Sequence, residues 1–212
     1  MIRQLLWDND GVLVATEHLY YQASAEVLAE VGVELSEDQF KEISLRRGES
    51  VLELAQGLSD VERHTLRNHR NQRYSDLLAR TSLVMEGVHE TLAQLHGRYA
   101  MAIVTSCRRD HFDIIHRDSG LLDFFDFVLT REDYAQSKPH PEPYLTAVQR
   151  SGFAAEECLV IEDSARGLQA AVQAGLPCFV IPGQLNATSD LRLASHILGH
   201  VTELPEALAN WP

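Results

Sequence analysis

Short apolar runs that end abruptly on acids or hydroxyls limit the folds open to this chain. The three clearest runs, with the residues that end them, are residues 5–7 before Asp8, residues 100–104 before Thr105 and Ser106, and residues 158–161 before Glu162 and Asp163. A fourth run covers residues 178–181, and residues 124–129 form a weaker fifth. Continuous apolar runs of this length are typical of strands buried on both faces of a parallel sheet.

Helical patterns separate the later runs. Apolar residues recur at helical spacing over residues 88–95, 112–121, 143–148 and 164–174. Several of these segments are followed by a glycine, which is typical of a helix end. The alternation of strand and helix predicts an α/β fold with a doubly wound parallel sheet and right-handed crossovers.

The segment between the first two strands breaks this alternation. Helical patterns cover residues 20–31, 36–45, 50–58 and 60–78, and no strand pattern occurs among them. The last three patterns are each opened by a plausible capping residue. We therefore predict two units. Residues 1–15 and 83–212 form an α/β core, and residues 16–82 form an inserted helical unit.

Composition argues against several classes of function. Of the 212 residues, 45% are apolar and 23% are charged, as in globular proteins. The net charge of −13 argues against nucleic-acid partners and anionic membrane surfaces. The first residues do not resemble a signal peptide, and no apolar stretch approaches the roughly 20 residues of a membrane helix. Three cysteines without metal-like spacing favour reduced thiols, so we predict a soluble cytoplasmic protein.

Polar residues follow the predicted strands at the edge where open parallel sheets bind ligands. This set contains Asp8, Asp10, Thr105, Ser106, Lys138, Glu162 and Asp163. Four clustered carboxylates would raise one another's pKa unless a cation joins them. Mg²⁺ suits such a cluster because it binds carboxylates together with substrate oxygens and water. The set therefore predicts a magnesium site that receives a phosphate group.

The residues of this set fit the steps of phosphoryl transfer. Asp8 can attack phosphorus and form an aspartyl phosphate, and Asp10 can protonate the leaving oxygen and later activate water. Thr105 and Ser106 can hold phosphate oxygens while an ammonium offsets negative charge. Lys138 is one of only two lysines in a chain with sixteen arginines, which supports a requirement for a compact cation.

Four motifs, in this order, resemble the haloacid dehalogenase superfamily, in the subfamily with a helical cap after the first motif. The motifs are DNDGVL at residues 8–13, AIVTS ending at Ser106, SKPHPEPY with Lys138, and LVIEDSARGLQAA with Glu162 and Asp163. The resemblance implies a Rossmann-like core, a cap formed by the inserted helical unit, and a phosphatase that acts on a small phosphorylated metabolite. The second acid, Asp10, favours phosphate chemistry over cleavage of a carbon–halogen bond.

The resemblance also implies a ligand set for Mg²⁺. Asp8, the carbonyl of Asp10 and Asp163 would bind the ion, with Glu162 nearby. In related caps an arginine contacts the phosphate or the substrate. Arg47 in the sequence LRRGESV stands at that position, and the adjacent Arg46 matches it equally well.

Departures from the family pattern leave two rival functions open. One rival is a sugar phosphomutase similar to β-phosphoglucomutase. Tyr20 stands where that mutase has a histidine, and the nearby His18 does not align with that position. The other rival is a non-catalytic binding or phospho-switch protein. Asn9 replaces the apolar residue usual between the two aspartates, and its role stays open, as does that of Ala15. The substrate and the oligomeric state, monomer or dimer, also stay open.

Two further patterns are interpreted as structural rather than catalytic. Cys107 lies beside the predicted phosphate loop, but no histidine is placed to activate it. His196 and His200 are four residues apart without a third ligand, so we interpret them as part of a solvated face.

Overall fold

The computed structural model describes residues 1–80, 82–183 and 190–211. In this part of the chain six strands form one sheet in the order β3-β2-β1-β4-β5-β6, and all neighbouring strands are parallel. The strands are β1 Gln4–Trp7, β2 Ala100–Val104, β3 Phe127–Leu129, β4 Cys158–Glu162, β5 Cys178–Val180 and β6 His196–Ile197. The predicted parallel α/β sheet is confirmed.

Eight α-helices accompany the sheet in the described residues. They are α1 Glu17–Glu30, α2 Glu37–Phe40, α3 Asp60–Leu78, α4 Val88–Leu95, α5 Arg109–His116, α6 Glu142–Ser151, α7 Ala165–Gln173 and α8 Leu204–Ala209. Helices α4, α5 and α8 supply apolar residues to the cluster on one face of the sheet, and α6 and α7 supply those on the other. Both faces are therefore covered, as the continuous apolar strands require.

Successive residues of β1 serve the two faces in turn. Leu5 and Trp7 belong to one apolar cluster, and Leu6 belongs to the other. In the parallel register Trp7 lies beside Ile103 and Ile161. The polar residues that follow these strands therefore begin at one common edge of the sheet.

Some element boundaries differ from the sequence-based prediction. Strand β3 is shorter than the predicted run over residues 124–129, because Leu122–Phe124 forms a 3₁₀ turn before it. Helix α5 begins before the predicted residue 112 and ends at His116. Strand β6 has only two residues, both exposed, and its lack of an apolar pattern explains why the sequence did not indicate it.

Residues 17–78, here called the helical insert, contain helices and turns and no strand. The pattern over residues 36–45 divides into α2 and a π-helical turn at Lys41–Arg46, and the pattern over residues 50–58 becomes the 3₁₀ turn Val51–Leu54. The insert has its own apolar cluster, which includes the fully buried Phe40 and Leu52. Tyr74 and Leu78 of α3 join the sheet's cluster instead, so the insert packs against the α/β core.

Among the described residues, none of the helices combines the length and the apolar character that crossing a membrane requires.

Candidate active site

Lys138 joins two of the predicted acids at the carboxyl edge of the sheet. Its Nζ lies 2.6 Å from Asp8 Oδ1 and 2.7 Å from Glu162 Oε1, and it donates to the Val104 carbonyl oxygen at 2.9 Å. Asp8 follows β1, Val104 ends β2 and Glu162 ends β4. Three neighbouring strands therefore bring their ends to one buried ammonium.

Glu162 uses both carboxylate oxygens within the protein. Besides Lys138, Oε1 accepts the Tyr144 hydroxyl at 2.7 Å, and Oε2 accepts the Asp163 backbone N–H at 3.1 Å and the Ser164 hydroxyl at 3.1 Å. Buried carboxylates need such partners, because an ionised group away from water is otherwise costly. The contacts of Glu162 thus orient Lys138 and the start of α7.

The charges of this cluster shift one another's pKa values. Burial raises the pKa of Asp8 to about 8; the neighbouring Glu162 adds to this rise, and Lys138 opposes it. Burial acts to raise the pKa of Glu162 too, but the Lys138 ammonium and the Tyr144 hydroxyl hold it below its usual value. Burial acts to lower the pKa of Lys138, yet Asp8 and Glu162 together raise it. Without a further cation, Asp8 is therefore the carboxyl group that tends to take a proton.

Asp163 completes a group of acids that fits a divalent cation. One carboxylate oxygen from each of Asp8, Glu162 and Asp163 lies within 4.8 Å of the others, and all three residues are buried. An all-oxygen set of this kind matches the ligand preference of Mg²⁺, and a bound cation would favour the ionised form of Asp8. Gly11 packs directly beneath the Asp163 carboxylate, where a Cβ atom would collide with it.

Asp10 is held by hydroxyl donors rather than by Lys138. Thr16 Oγ1 donates to Asp10 Oδ1, and Thr105 Oγ1 donates to Asp10 Oδ2 at 3.1 Å. The Thr105 hydroxyl also accepts the Cys107 backbone N–H at 3.0 Å. Thr105 is fully buried, so in this conformation its hydroxyl orients Asp10.

Asn9 points to the interior and gives the turn between the two aspartates a buried anchor. Its Oδ1 lies 2.8 Å from His116 Nε2, and its Nδ2 donates to Asp10 Oδ2 at 3.3 Å. His116 Nδ1 lies 3.0 Å from Ser119 Oγ, so both ring nitrogens have partners. Burial lowers the pKa of His116 to about 4, which keeps the ring neutral. Asn9, which replaces the usual apolar residue, therefore needs a second buried polar group, His116, as its partner.

A cavity of about 110 Å³ opens onto this cluster. Its lining from the α/β core includes Asp8, Asp10, Ser106, Lys138, Glu162, Asp163, Ser164 and Arg166, and Glu17 and Leu45 line it from the helical insert. Six of the seven residues that the sequence places at the strand ends thus line this cavity, and the seventh, Thr105, donates a hydrogen bond to Asp10.

The two candidate arginines of the insert lie outside the cavity lining. The Arg47 side chain is 52% exposed, with Nε 3.1 Å from Glu42 Oε1 and Nη1 3.8 Å from Glu49 Oε2. Arg46 is also exposed and pairs with Glu42 at 2.9 Å. The structure does not bring Arg47 to the acids, and its predicted contact with substrate stays a prediction.

Sequence reasoning missed several residues that support the cluster or line the cavity, and three of them are Tyr144, His116 and Arg166. Tyr144 reaches Glu162 from α6, His116 supports Asn9 from α5, and Arg166 lines the cavity from the first turn of α7. Tyr144 and His116 lie on helical faces that read equally well as ordinary core positions. Arg166 falls within the fourth motif, where only its charge beside two acids could have drawn attention.

The residues interpreted as structural have no contacts that indicate chemistry. Burial raises the pKa of the Cys107 thiol well above its usual value, which disfavours a nucleophilic thiolate. His196 lies in strand β6 and His200 lies in a turn, where its Nδ1 contacts the Thr202 hydroxyl at 2.9 Å. Both histidines are exposed.

The doubly wound sheet, with acids and one ammonium beyond its strand ends, defines a class of α/β enzymes that bind their ligands at a sheet edge. Residues 5–181 match the family model of the haloacid dehalogenase-like hydrolases. The chain belongs to this family and is a hydrolase, so the predicted family is confirmed.

Several relatives of this chain are phosphatases by name. The phosphorylated carbohydrates phosphatase of Thermotoga maritima is 31% identical over 180 residues, which cover 81% of each chain. The fructose-1-phosphate phosphatase YqaB of Escherichia coli is 27% identical over 176 residues, 81% of this chain and 92% of the relative. These relatives support phosphatase activity on phosphorylated compounds.

Solved structures share the fold over nearly the whole chain. The crystal structure of CbbY from Rhodobacter sphaeroides in complex with phosphate superposes with a TM-score of 0.83 and 24% identity over 96% of each chain. The β-phosphoglucomutase of Clostridium difficile has the same TM-score at 20% identity, covering 99% of this chain and 96% of that one. At these levels of sequence identity, the structural similarity shows a shared fold.

Proposed function

We propose that this hydrolase is a Mg²⁺-dependent phosphatase that acts on a small phosphorylated metabolite through a phosphorylated Asp8. One observation carries the proposal. Asp8 stands at the end of β1 with Lys138 Nζ 2.6 Å from one of its oxygens and with Asp163 close enough to share a cation. A nucleophilic carboxylate and charge compensation for a phosphate thus meet at one point.

The protein's own residues would carry the reaction in two steps. In the first, an Asp8 oxygen attacks phosphorus, the bond to the leaving oxygen breaks, and Asp10 gives that oxygen a proton. In the second, a water molecule attacks phosphorus of the phosphoaspartate while Asp10 takes a proton from that water. The bond between phosphorus and Asp8 breaks, which releases phosphate and restores Asp8. Lys138 offsets charge on the phosphoryl oxygens, and Ser106 donates a hydrogen bond to them.

Mg²⁺ held by Asp8, Asp163 and the Asp10 carbonyl would neutralise phosphate charge at this site. The contacts of Glu162 suit it to hold Lys138 in place rather than to donate both oxygens to the ion.

We propose that residues 16–82 act as a cap on a core formed by residues 1–15 and 83–212. The insert contributes Glu17 and Leu45 to the cavity lining, so substrate would be enclosed between the insert and the strand ends. Closure of this kind excludes water until the phosphoenzyme forms.

The free state of all three cysteines agrees with the prediction of a cytoplasmic protein, and monomer or dimer stays the predicted oligomeric state.

The environment of Tyr20 favours hydrolysis over the mutase alternative. Its ring contacts Tyr74 and Phe40, and the Arg70 guanidinium lies 4.5 Å from its centroid. His18 is exposed on α1. Neither side chain lines the cavity, so neither is placed to transfer a proton to a bound sugar as a phosphomutase would require.

A phosphate-release screen tests the proposal. Sugar phosphates, phosphoglycolate, nucleotides and p-nitrophenyl phosphate are incubated with the protein, with and without Mg²⁺. We expect Mg²⁺-dependent release of free phosphate that Asp8→Asn abolishes, whereas Asp38→Asn, exposed on α2, retains it. Transfer of phosphate between sugar positions without free phosphate would support the mutase, and turnover that survives Asp8→Asn would contradict the mechanism.

A further inference from the structure

Arg166 is a half-buried cation at the cavity that the reaction scheme leaves without a role. It lies in the first turn of α7, three residues after Asp163, and lines the same cavity as Lys138 and Ser106. Lys138 is already shared by two carboxylates. Arg166 is therefore the cavity's second cation, and its charge is available for a different group.

The contacts of the Arg166 guanidinium are with neutral groups. One Nη donates to the Lys138 carbonyl oxygen, and the face of the guanidinium covers Gly48. No carboxylate of residues 1–80, 82–183 and 190–211 forms an ion pair with it. Burial lowers the pKa of Arg166, and the opposing effect of the Glu162 and Asp8 carboxylates does not reverse this.

Its hydrogen bonding is also incomplete. Arg166 Nε is buried and has no hydrogen-bond partner in the described part of the chain. A buried donor without an acceptor is costly, and the cost is greater when the donor is charged. A guanidinium that is both unpaired and unsatisfied favours a ligand that brings anionic oxygens.

Gly48 connects this cation to the helical insert. The glycine has a φ of +70°, and a Cβ atom there would occupy the space of the guanidinium. The insert can thus approach the core over Arg166 only because residue 48 has no side chain. The approach of the insert would be most favourable when the substrate supplies the missing acceptor.

We propose that Arg166 binds an anionic oxygen group, a carboxylate or a second phosphate, on the leaving portion of the substrate. This inference rests on the proposed phosphatase function, because it assumes that the transferred phosphate binds beside Asp8 and Lys138. The guanidinium would then bind the acidic group on the leaving portion, so that substrates with two acidic groups bind more tightly than those with one.

The test compares three probes in an Asp8→Asn background, where binding is measured without turnover. The probes are 2-phosphoglycolate, 1,2-ethanediol bisphosphate and 2-hydroxyethyl phosphate, which differ only in the group attached to the same short stem. Their dissociation constants are measured by calorimetry with Mg²⁺ present. We expect one or both acidic probes to bind ~10-fold or more tightly than the hydroxyethyl probe.

Arg166→Gln should abolish that preference while leaving the affinity for 2-hydroxyethyl phosphate within about threefold, since only one charge-assisted interaction is removed. Arg98→Gln, which alters an exposed arginine just before β2, should retain the preference. A preference limited to phosphoglycolate identifies a carboxylate, and one limited to the bisphosphate identifies a second phosphate. Equal loss of affinity for all probes in Arg166→Gln would overturn the inference, as would a preference that survives the substitution.

Gly48→Ala provides a second variant that keeps the charge but displaces the guanidinium. It should reduce the preference for acidic probes, whereas Gly32→Ala should not. Gly32 has a similar φ of +76° and nothing within 4 Å of an added Cβ, so it reports the backbone strain alone.

Failure of this inference is distinguishable from failure of the proposed function. If wild-type protein hydrolyses a probe and Asp8→Asn does not, the phosphatase stands whatever Arg166 binds.

Discussion

At Lys138 three hydrogen-bond acceptors meet one ammonium in a site from which water is largely excluded. The side chain of Lys138 is 6% exposed and that of Glu162 is 1% exposed. Buried ion pairs add little stability over apolar packing, but removing one partner leaves an uncompensated charge. The same contacts that we propose prepare Asp8 for a phosphate group therefore make the fold sensitive to the loss of the lysine.

Lys138→Met is expected to lower the free energy of unfolding by about 3–5 kcal/mol, because it leaves Glu162 buried without its cation. Urea denaturation at pH 7 without Mg²⁺ measures this loss. The matched control is Lys41→Met, which removes the chain's other lysine from an exposed pair with Glu37 and should cost at most ~1 kcal/mol. Equal losses in the two variants would contradict the role assigned to the buried cluster.

At the level of elements, the site depends on how closely the turn after β1 approaches the start of α7. Asn9 O accepts the Leu13 backbone N–H at 2.8 Å, and Gly11 N donates to Val14 O at 2.8 Å, which folds the turn back on itself. This turn brings Gly11, with a φ of +86°, beneath Asp163. A side chain at that position would move the acid that we propose as a Mg²⁺ ligand.

Gly11→Ala is expected to raise the Mg²⁺ concentration for half-maximal phosphatase activity by about tenfold or more, as displacement of groups that orient metal ligands commonly does. A Mg²⁺ titration of phosphate release measures the change. Gly97→Ala is the control: its φ of +77° imposes similar strain of about 1–2 kcal/mol, but nothing lies within 4 Å of the added Cβ. An unchanged Mg²⁺ requirement in Gly11→Ala would argue against Asp163 as a ligand.

At the scale of the whole molecule, the free energy of unfolding depends on the protonation of groups that the fold keeps neutral. His116 is buried between Phe112 and Asn9, and its pKa falls from the usual 6.5 to about 4. Between these two pH values the unfolded chain binds a proton at this residue and the folded protein does not. The stabilisation that depends on neutral His116 is therefore complete above pH 6.5 and is lost as pH falls to 4.

Between pH 7 and pH 4 the wild-type protein is expected to lose ~3 kcal/mol more unfolding free energy than His116→Gln, which cannot titrate but can still bond to Asn9. Chemical denaturation at a series of pH values measures the difference. His64→Gln removes a histidine exposed on α3 and should follow the wild-type curve. A parallel course for wild type and His116→Gln would show that His116 does not contribute to acid sensitivity.

The local order of residues was sufficient to predict the parallel sheet, the helical insert and the acids at the strand ends. Each apolar run carries its own strand signal, and parallel strands bring the residues after them to the same edge. Asp8, Glu162 and Asp163 could thus be grouped from positions more than 150 residues apart. The last turns of helices and the two-residue strand β6 were not predictable, because packing rather than periodicity decides them.

Tertiary packing alone decided which side chains complete the site. Tyr144 and His116 have no local signal, and Arg166 has only its charge close to two acids. Each contributes through a partner that the fold brings close: Glu162, Asn9 and Gly48. It also left Arg47 at the surface beside Glu42, although the resemblance to related caps implied a substrate contact. Periodicity assigns a residue to a strand or a helix face, but the direction and reach of a side chain follow only from what packs around it.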